Sequence, residues 1–284
     1  MDFEKQRFLH KQLVASSLLQ FTTKMFAYTA RREYVIGEHH RIICDALMDV
    51  IRGKTNKLII NISPRYGKTL LCSQMFIAYG LALNPASKFL HISYSGSLVH
   101  DNSMAVKDTI TSTYFQTLFP NVKIRKNDNT RSKWSTTAGG GEYATSTLGQ
   151  ITGFGAGQPD WTEEDIKNMD KFMATFNPGH FSGAIVIDDP LRPDDALSDN
   201  VRESINRRFE TTIRNRVNSR HTPIIIVMQR LHEHDLCGYL QEIEPNEWKV
   251  VSLPVIQTDE DGKERALWPC KHTLEELYKI KHAS

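Results

Sequence analysis

A chain of 284 residues, 40% hydrophobic and 24% charged, carries enough apolar material for one large core, or one core with a small satellite, and reads as soluble and globular. Its 35 basic and 33 acidic residues leave a net charge of +2, which excludes a generally basic nucleic-acid binder and confines any such contact to local patches. Four cysteines without a C-x-x-C pair exclude a disulfide framework, and no apolar run approaches the ~20 residues of a membrane span, so a reduced, cytoplasmic protein is expected.

Along the chain, Phe8, Leu13, Leu18, Leu19 and Phe21, then Ile42, Ile43, Ala46, Leu47, Val50 and Ile51, fall at helical spacing. The first 50 residues therefore read as two or three amphipathic helices. Short apolar runs follow at 58–62 (LIINI), 88–95 (KFLHISYS), 183–188 (GAIVID), 223–229 (PIIIVMQ) and 248–254 (WKVVSLP), separated by helical stretches. Strands that are hydrophobic throughout, alternating with helices, imply a parallel sheet covered on both faces, which makes an α/β nucleotide-binding core the leading fold. The stretch from 120 to 182 departs from this pattern. Its basic and glycine-rich parts read as a strand and hairpin at the sheet edge. Its acidic part reads as a surface insertion, with a short helix from Thr162 whose Glu163, Glu164 and Asp165 suit a helix N-terminus. Gly139 to Gly141 suit a tight turn at least as well as a ligand contact.

The run LIINISPRYGKTLLCSQMFIAYGLA places a strand, a loop and a helix in the order that a phosphate-binding loop requires. The usual pattern starts with a glycine five places before Gly67, and Ile62 stands there. The backbone N–H groups of Tyr66 to Thr69 would converge on an anion at the positive end of the helix, with Gly67 leaving room for it. Lys68 would reach the β- and γ-phosphates of ATP, and the Thr69 hydroxyl would ligate Mg²⁺. Downstream, GAIVIDDP puts Asp188 at the carboxyl end of a buried strand, where open α/β sheets bind ligands. Asp188 is the candidate for the metal's water shell, and Asp189 for orienting or deprotonating a water. The alternative is an ordinary pair of turn acids before Pro190. A third strand ends in Gln229 and Arg230, where Gln229 could sense the γ-phosphate. His232, His234 and Asp235 beyond it are chemically able to bind metal but lack helical zinc-site spacing.

Seven blocks in this order resemble the ATPase half of the large terminase subunit, the DNA-packaging motor of tailed bacteriophages and related prophages. They are GEHHRIICDALMDV, NISPRYGKT, ISYSGSLVHDN, GQITGFGAG, IVIDDP with DDALSDNVRE after it, MQRLHEHDLCGYL and ALWPCKHTLEEL. The family's loop often lacks the first glycine, as here. The resemblance implies a RecA-like, ASCE-type P-loop NTPase core at 56–245, an N-terminal helical lead-in at 1–55 and a C-terminal extension at 246–284. It implies ATP and Mg²⁺ as ligands, bound by Ser63, Pro64, Arg65, Tyr66, Gly67, Lys68, Thr69, Leu70 and His40, with metal at Thr69 and Asp188. Lys68, Asp189, Arg65 and Gln229 are the catalytic candidates, and Arg65 lies where the family carries a loop arginine that can meet the γ-phosphate. The implied partners are double-stranded DNA, a portal protein, a small terminase subunit and further copies in a ring, in the host cytoplasm.

Other features fit less closely. Residues 158–182 contain no arginine to act between subunits, and Asp189 is one methylene shorter than the glutamate many such enzymes use. Arg214 and Arg216 could serve as an arginine finger or a DNA contact, although solvated helix charges are the simpler reading. A whole large terminase would continue into a metal-dependent nuclease domain, so no nuclease activity is expected of this chain, which would be an excised domain or a split protein. The alternative is a helicase or translocase core not involved in packaging. It shares both nucleotide elements, but a helicase needs a second such domain. A guanine-reading N-K-x-D is absent. A DNA-binding module without catalysis would rest on Lys123, Arg125, Lys126, Arg131 and Lys133, a run that reads more simply as a solvated loop.

Overall fold

A computed structural model of the chain describes residues 3–151, 153–160, 162, 164 and 171–283. The helix expected from Thr162 through Glu163, Glu164 and Asp165 rests on a stretch most of which lies outside the described residues. Three helices open the chain: α1 (Phe3–Ala15), α2 (Leu18–Ala30) and α3 (Glu38–Ile51). Ser17 caps α2 by accepting the Gln20 N–H, and the Gly37 N–H that precedes α3 donates to His40 Nδ1 at 2.8 Å.

The sheet strands in chain order are β1 (Lys57–Ile62), β2 (Lys88–Ser93), β3 (Ile124–Asn129), β4 (Lys133–Thr136), β5 (Gly141–Ser146), β6 (Ile185–Asp188), β7 (Ile224–Met228) and β8 (Lys249–Leu253). Between them run α4 (Phe76–Leu83), α5 (Gly96–Thr111), α6 (Thr113–Leu118), α7 (Lys171–Phe176), α8 (Asp199–Arg208) and α9 (Leu236–Ile243). A small antiparallel pair, β9 (Ile256–Thr258) and β10 (Glu264–Ala266), leads to α10 (Leu274–Ala283). The eight-stranded sheet has the order β3-β4-β5-β2-β6-β7-β1-β8, parallel from β5 to β8 with an antiparallel edge at β3 and β4. This is the expected mainly parallel α/β core between helices. The first glycine-rich turn is also as expected, since Gly139 and Gly140 join β4 to β5. β8 pairs with β1 throughout, so the sheet continues past residue 245.

Two faces explain why the strands are apolar throughout. Side chains alternate along a strand. Leu58, Ile60, Val186, Ile225 and Val227 pack into the core beneath α1 to α6, while Ile59, Ile185, Ile187, Ile224, Ile226 and Met228 pack beneath α8 and α9. Burial on both faces makes β6 and β7 apolar up to their ends, and the Asp188 carboxylate stands at the end of β6. Gly183 sets the spacing at the start of β6. Its φ is +121°, and a Cβ there would lie 2.0 Å from the Lys88 carbonyl oxygen on β2. Gly183→Ala should therefore destabilise the fold by about 2 kcal/mol or more in urea titrations, by forcing β6 away from β2; an unchanged midpoint would contradict this packing.

Candidate active site

The strand order brings the two predicted motifs together. β1 feeds the loop Ser63–Gly67, β6 ends in Asp188, and only β7 lies between them. Helical backbone begins at Lys68 and passes through a π-helical stretch, Leu70–Met75, before α4. The wider turn, in which the Phe76 N–H donates to the Leu71 carbonyl, carries Ser73 under the end of β6. There its hydroxyl donates to Asp188 Oδ2 at 3.0 Å. Lys68 Nζ, on a side chain only 6% exposed, meets Asp189 Oδ1 at 2.6 Å. The Gln229 N–H, leaving β7, also donates to Asp189 Oδ1 at 3.3 Å. Lys68, Asp188, Asp189 and Gln229 thus meet at the carboxyl edge of the sheet, with Ser63, Pro64, Tyr66, Thr69 and Leu70 along the loop and first turn.

Asp189 adopts φ +47°, a left-handed conformation that costs a non-glycine residue about 1 kcal/mol. Its backbone is pinned on both sides: its N–H donates to the Val227 carbonyl on β7, and its carbonyl accepts from Tyr94 beyond β2, both at 2.9 Å. The bend turns the Asp189 carboxylate out of the sheet toward Lys68, whereas Asp188 remains inside. Burial, and then the neighbouring Asp189 charge, push the Asp188 carboxyl above the usual range, while the Thr69 hydroxyl, Lys68 and the His91 ring pull it back. Asp188 Oδ1 has no hydrogen-bond partner. A buried carboxylate oxygen without a donor, beside a hydroxyl and a lysine, is what a hard cation with its water shell would satisfy, so the oxygen donors Asp188 and Thr69 fit Mg²⁺.

Behind the loop lies a cluster that sequence reasoning reached only in part. His39 and His40 are buried, and a Cβ on Gly67 would lie 3.0 Å from His40 Nε2 and 3.3 Å from the Tyr34 hydroxyl. Gly67, at φ +80°, is therefore fixed both by its backbone and by the ring beneath it. Burial, and then the proximity of His39, pull the His40 pKa down to about 3, so the ring is neutral. Because Nδ1 accepts the Gly37 N–H, its proton resides on Nε2. Trp268, from the turn between β10 and α10, packs tilted against the His39 ring and edge-on to the His40 ring, at centroid distances of 5.1 and 5.0 Å. Lys271 places Nζ 4.3 Å above the Tyr66 ring and donates to the Arg65 carbonyl at 2.5 Å. The Arg65 side chain is exposed at the mouth of the loop.

Several predicted residues have other employment. Asp235 accepts N–H bonds from Leu231, His232 and Gly238 and from Arg230 Nε, so it caps α9 and closes the turn after β7. No group of three or more His, Cys, Asp or Glu side chains placed to hold a metal ion is found among the described residues. Arg214 is held by Glu210 and Glu244 at 2.5 Å each, away from the loop. Thr273 and Glu276 form a reciprocal cap at the start of α10. The basic run lies on the β3–β4 edge, with Arg131 paired to Asp101. Sequence reasoning missed Ser73, Trp268 and Lys271. It also missed the buried pair His91–Glu142, joined at 2.8 Å and backed by Ser103 and Trp134.

A raised carboxyl pKa in the folded state means that Asp188 favours folding most when protonated, and that this contribution is lost as pH rises through its folded value. Asp188→Asn keeps an acceptor for Ser73 without the charge. It should raise the melting temperature of the nucleotide-free protein at neutral pH, with the difference shrinking on acidification. A variant less stable than the parent at pH 7 would refute this account.

No protein-family model matches the sequence, and no curated protein matches it. The solved structures that superpose on this chain include the following two. The crystal structure of the HK97 bacteriophage large terminase is 12% identical with a TM-score of 0.46, covering 82% of this chain and 41% of that chain. S. cerevisiae Dbp5, a variant bound to Nup159, a Gle1 variant, IP6 and ADP, is 11% identical with a TM-score of 0.46, covering 84% of this chain and 52% of that chain. The chain thus spans about half, or less, of the length of either. Both scores mark a loose superposition, and the fold assignment rests on the strand order.

Proposed function

We propose that this chain is a magnesium-dependent ATPase and the motor part of a large terminase subunit, in which hydrolysis drives double-stranded viral DNA into a procapsid. The hydrolytic part is carried by one observation: the loop lysine and two strand-end aspartates, separated by more than a hundred residues in sequence, meet at the edge of a parallel sheet with Lys68 on Asp189. The packaging part is supported by the seven sequence blocks. A portal protein and a small terminase subunit are its partners in this reading, with copies of the chain assembled as a ring on the portal in the host cytoplasm.

The chain's own residues account for binding and proton transfer. Amides from Tyr66 to Thr69 and the Lys68 ammonium hold phosphate oxygens, and Arg65 adds a charge at the open side of the loop. Bound Mg²⁺ would neutralise charge on the β- and γ-phosphates. Ser73 fixes Asp188 through Oδ2, leaving Oδ1 for the water shell. Lys68 drawn onto phosphate no longer neutralises Asp189, which keeps the Gln229 N–H and is free to accept a proton from the attacking water.

Steady-state ATP turnover with Mg²⁺ and DNA tests the reading. Lys68→Ala and Asp189→Asn should each lower kcat about 100-fold or more, while DNA affinity measured in parallel stays unchanged. Wild-type protein without turnover, or full turnover in Lys68→Ala, would sink the ATPase assignment. Turnover stimulated by DNA, but no nuclease-protected DNA in procapsids carrying portal and small subunit, would leave a nucleic-acid translocase and remove packaging.

A further inference from the structure

Arg65 has φ +62°, within the left-handed region where glycine is the ordinary occupant, and it lies in the loop that must present Tyr66 to Thr69 amides to phosphate. Its carbonyl is the acceptor for Lys271, some 200 residues further along the chain. The same Lys271 ammonium lies over the Tyr66 ring, so one side chain grips two successive residues of the loop. Lys271 is itself anchored. Its N–H donates to the Trp268 carbonyl, Trp268 packs on His39 and His40, the Leu267 N–H is tied to the Val255 carbonyl, and Arg265 pairs with Glu38 at 2.6 Å. The segment 265–276 is thus fastened to α3 on one side and to the phosphate loop on the other.

We propose that Lys271 is a positioning residue for nucleotide binding: by holding the Arg65 carbonyl it keeps the loop in the left-handed turn that a glycine would adopt unaided, and so makes phosphate affinity depend on the C-terminal segment. This rests on the loop being a nucleotide site. The Lys271 ammonium approaches the loop's carbonyl side, and a carbonyl and the next N–H point in opposite directions across a planar trans peptide. A grip on the Arg65 carbonyl therefore turns the Tyr66 N–H the other way, toward the side on which an anion is held.

Two measurements test this role. In nucleotide-free protein, hydrogen exchange at residues 65–69 should accelerate in Lys271→Ala and return to the parent rate in Lys271→Arg, with β1 amides unaffected; unchanged exchange overturns the proposal, whether or not nucleotide binds. ADP affinity, chosen because it involves no γ-phosphate, should fall about tenfold in Lys271→Ala and largely recover in Lys271→Arg, the scale of one charge-assisted hydrogen bond. With glycine at residue 65 the turn needs no holding, so Lys271→Ala added to Arg65→Gly should change ADP affinity less than about twofold relative to Arg65→Gly alone. An equal loss in both backgrounds would show that Lys271 acts directly on phosphate and would overturn the positioning role. Absence of ADP binding in the parent protein would strike the ATPase reading, while the exchange result would still decide the clamp.

Discussion

A carboxylate only 3% exposed, at the end of a strand buried on both faces, is the constraint around which this molecule is arranged. Asp188 is shielded from bulk solvent, and the adjacent Asp189 makes its charge harder to hold. Its surroundings compensate from three directions. β1 delivers the loop with Lys68 and Thr69, the π-helical turn brings Ser73 beneath it, and the left-handed bend turns the Asp189 carboxylate outward onto Lys68. Each depends on the strand order. With β7 alone between β1 and β6, the loop spans one strand width, and Gln229 at the end of β7 falls into the remaining gap.

The fold was legible because its cause is local. Runs such as PIIIVMQ have no polar face, and a strand without one must be covered on both sides, which already means a parallel sheet between helices. The loop and the acid pair were legible for a related reason: each lies at a strand end, where the apolar pattern stops abruptly. What remained hidden depends on partners far apart in sequence. Nothing around Ser73 distinguishes it from other helical serines, because its role comes from a wider turn and a carboxylate 115 residues away. Lys271 and Trp268 stood in a block noted only for a resemblance, which carried no chemistry of its own. Their meaning came only when the chain after β8 folded back onto α3. The run at 248–254 was legible as a strand, but its place beside β1 depends on a partner about 190 residues earlier in the chain.

The loop's unusual front half follows from the same geometry. A glycine at position 62 would free the backbone at the exit of β1, but Ile62 is still in the strand, paired with Leu253 and buried. The strand therefore includes residue 62, and the left-handed positions fall at residues 65 and 67. At 67 only glycine fits, because His40 and Tyr34 occupy the space a Cβ would need. At 65 there is room for a side chain. An arginine there gains a charge facing the loop mouth and loses the conformational ease of glycine. Lys271 on the Arg65 carbonyl offsets that loss from outside the loop. The absent glycine is thus balanced by contacts supplied at two distant points of the chain, His40 under the loop and Lys271 over it.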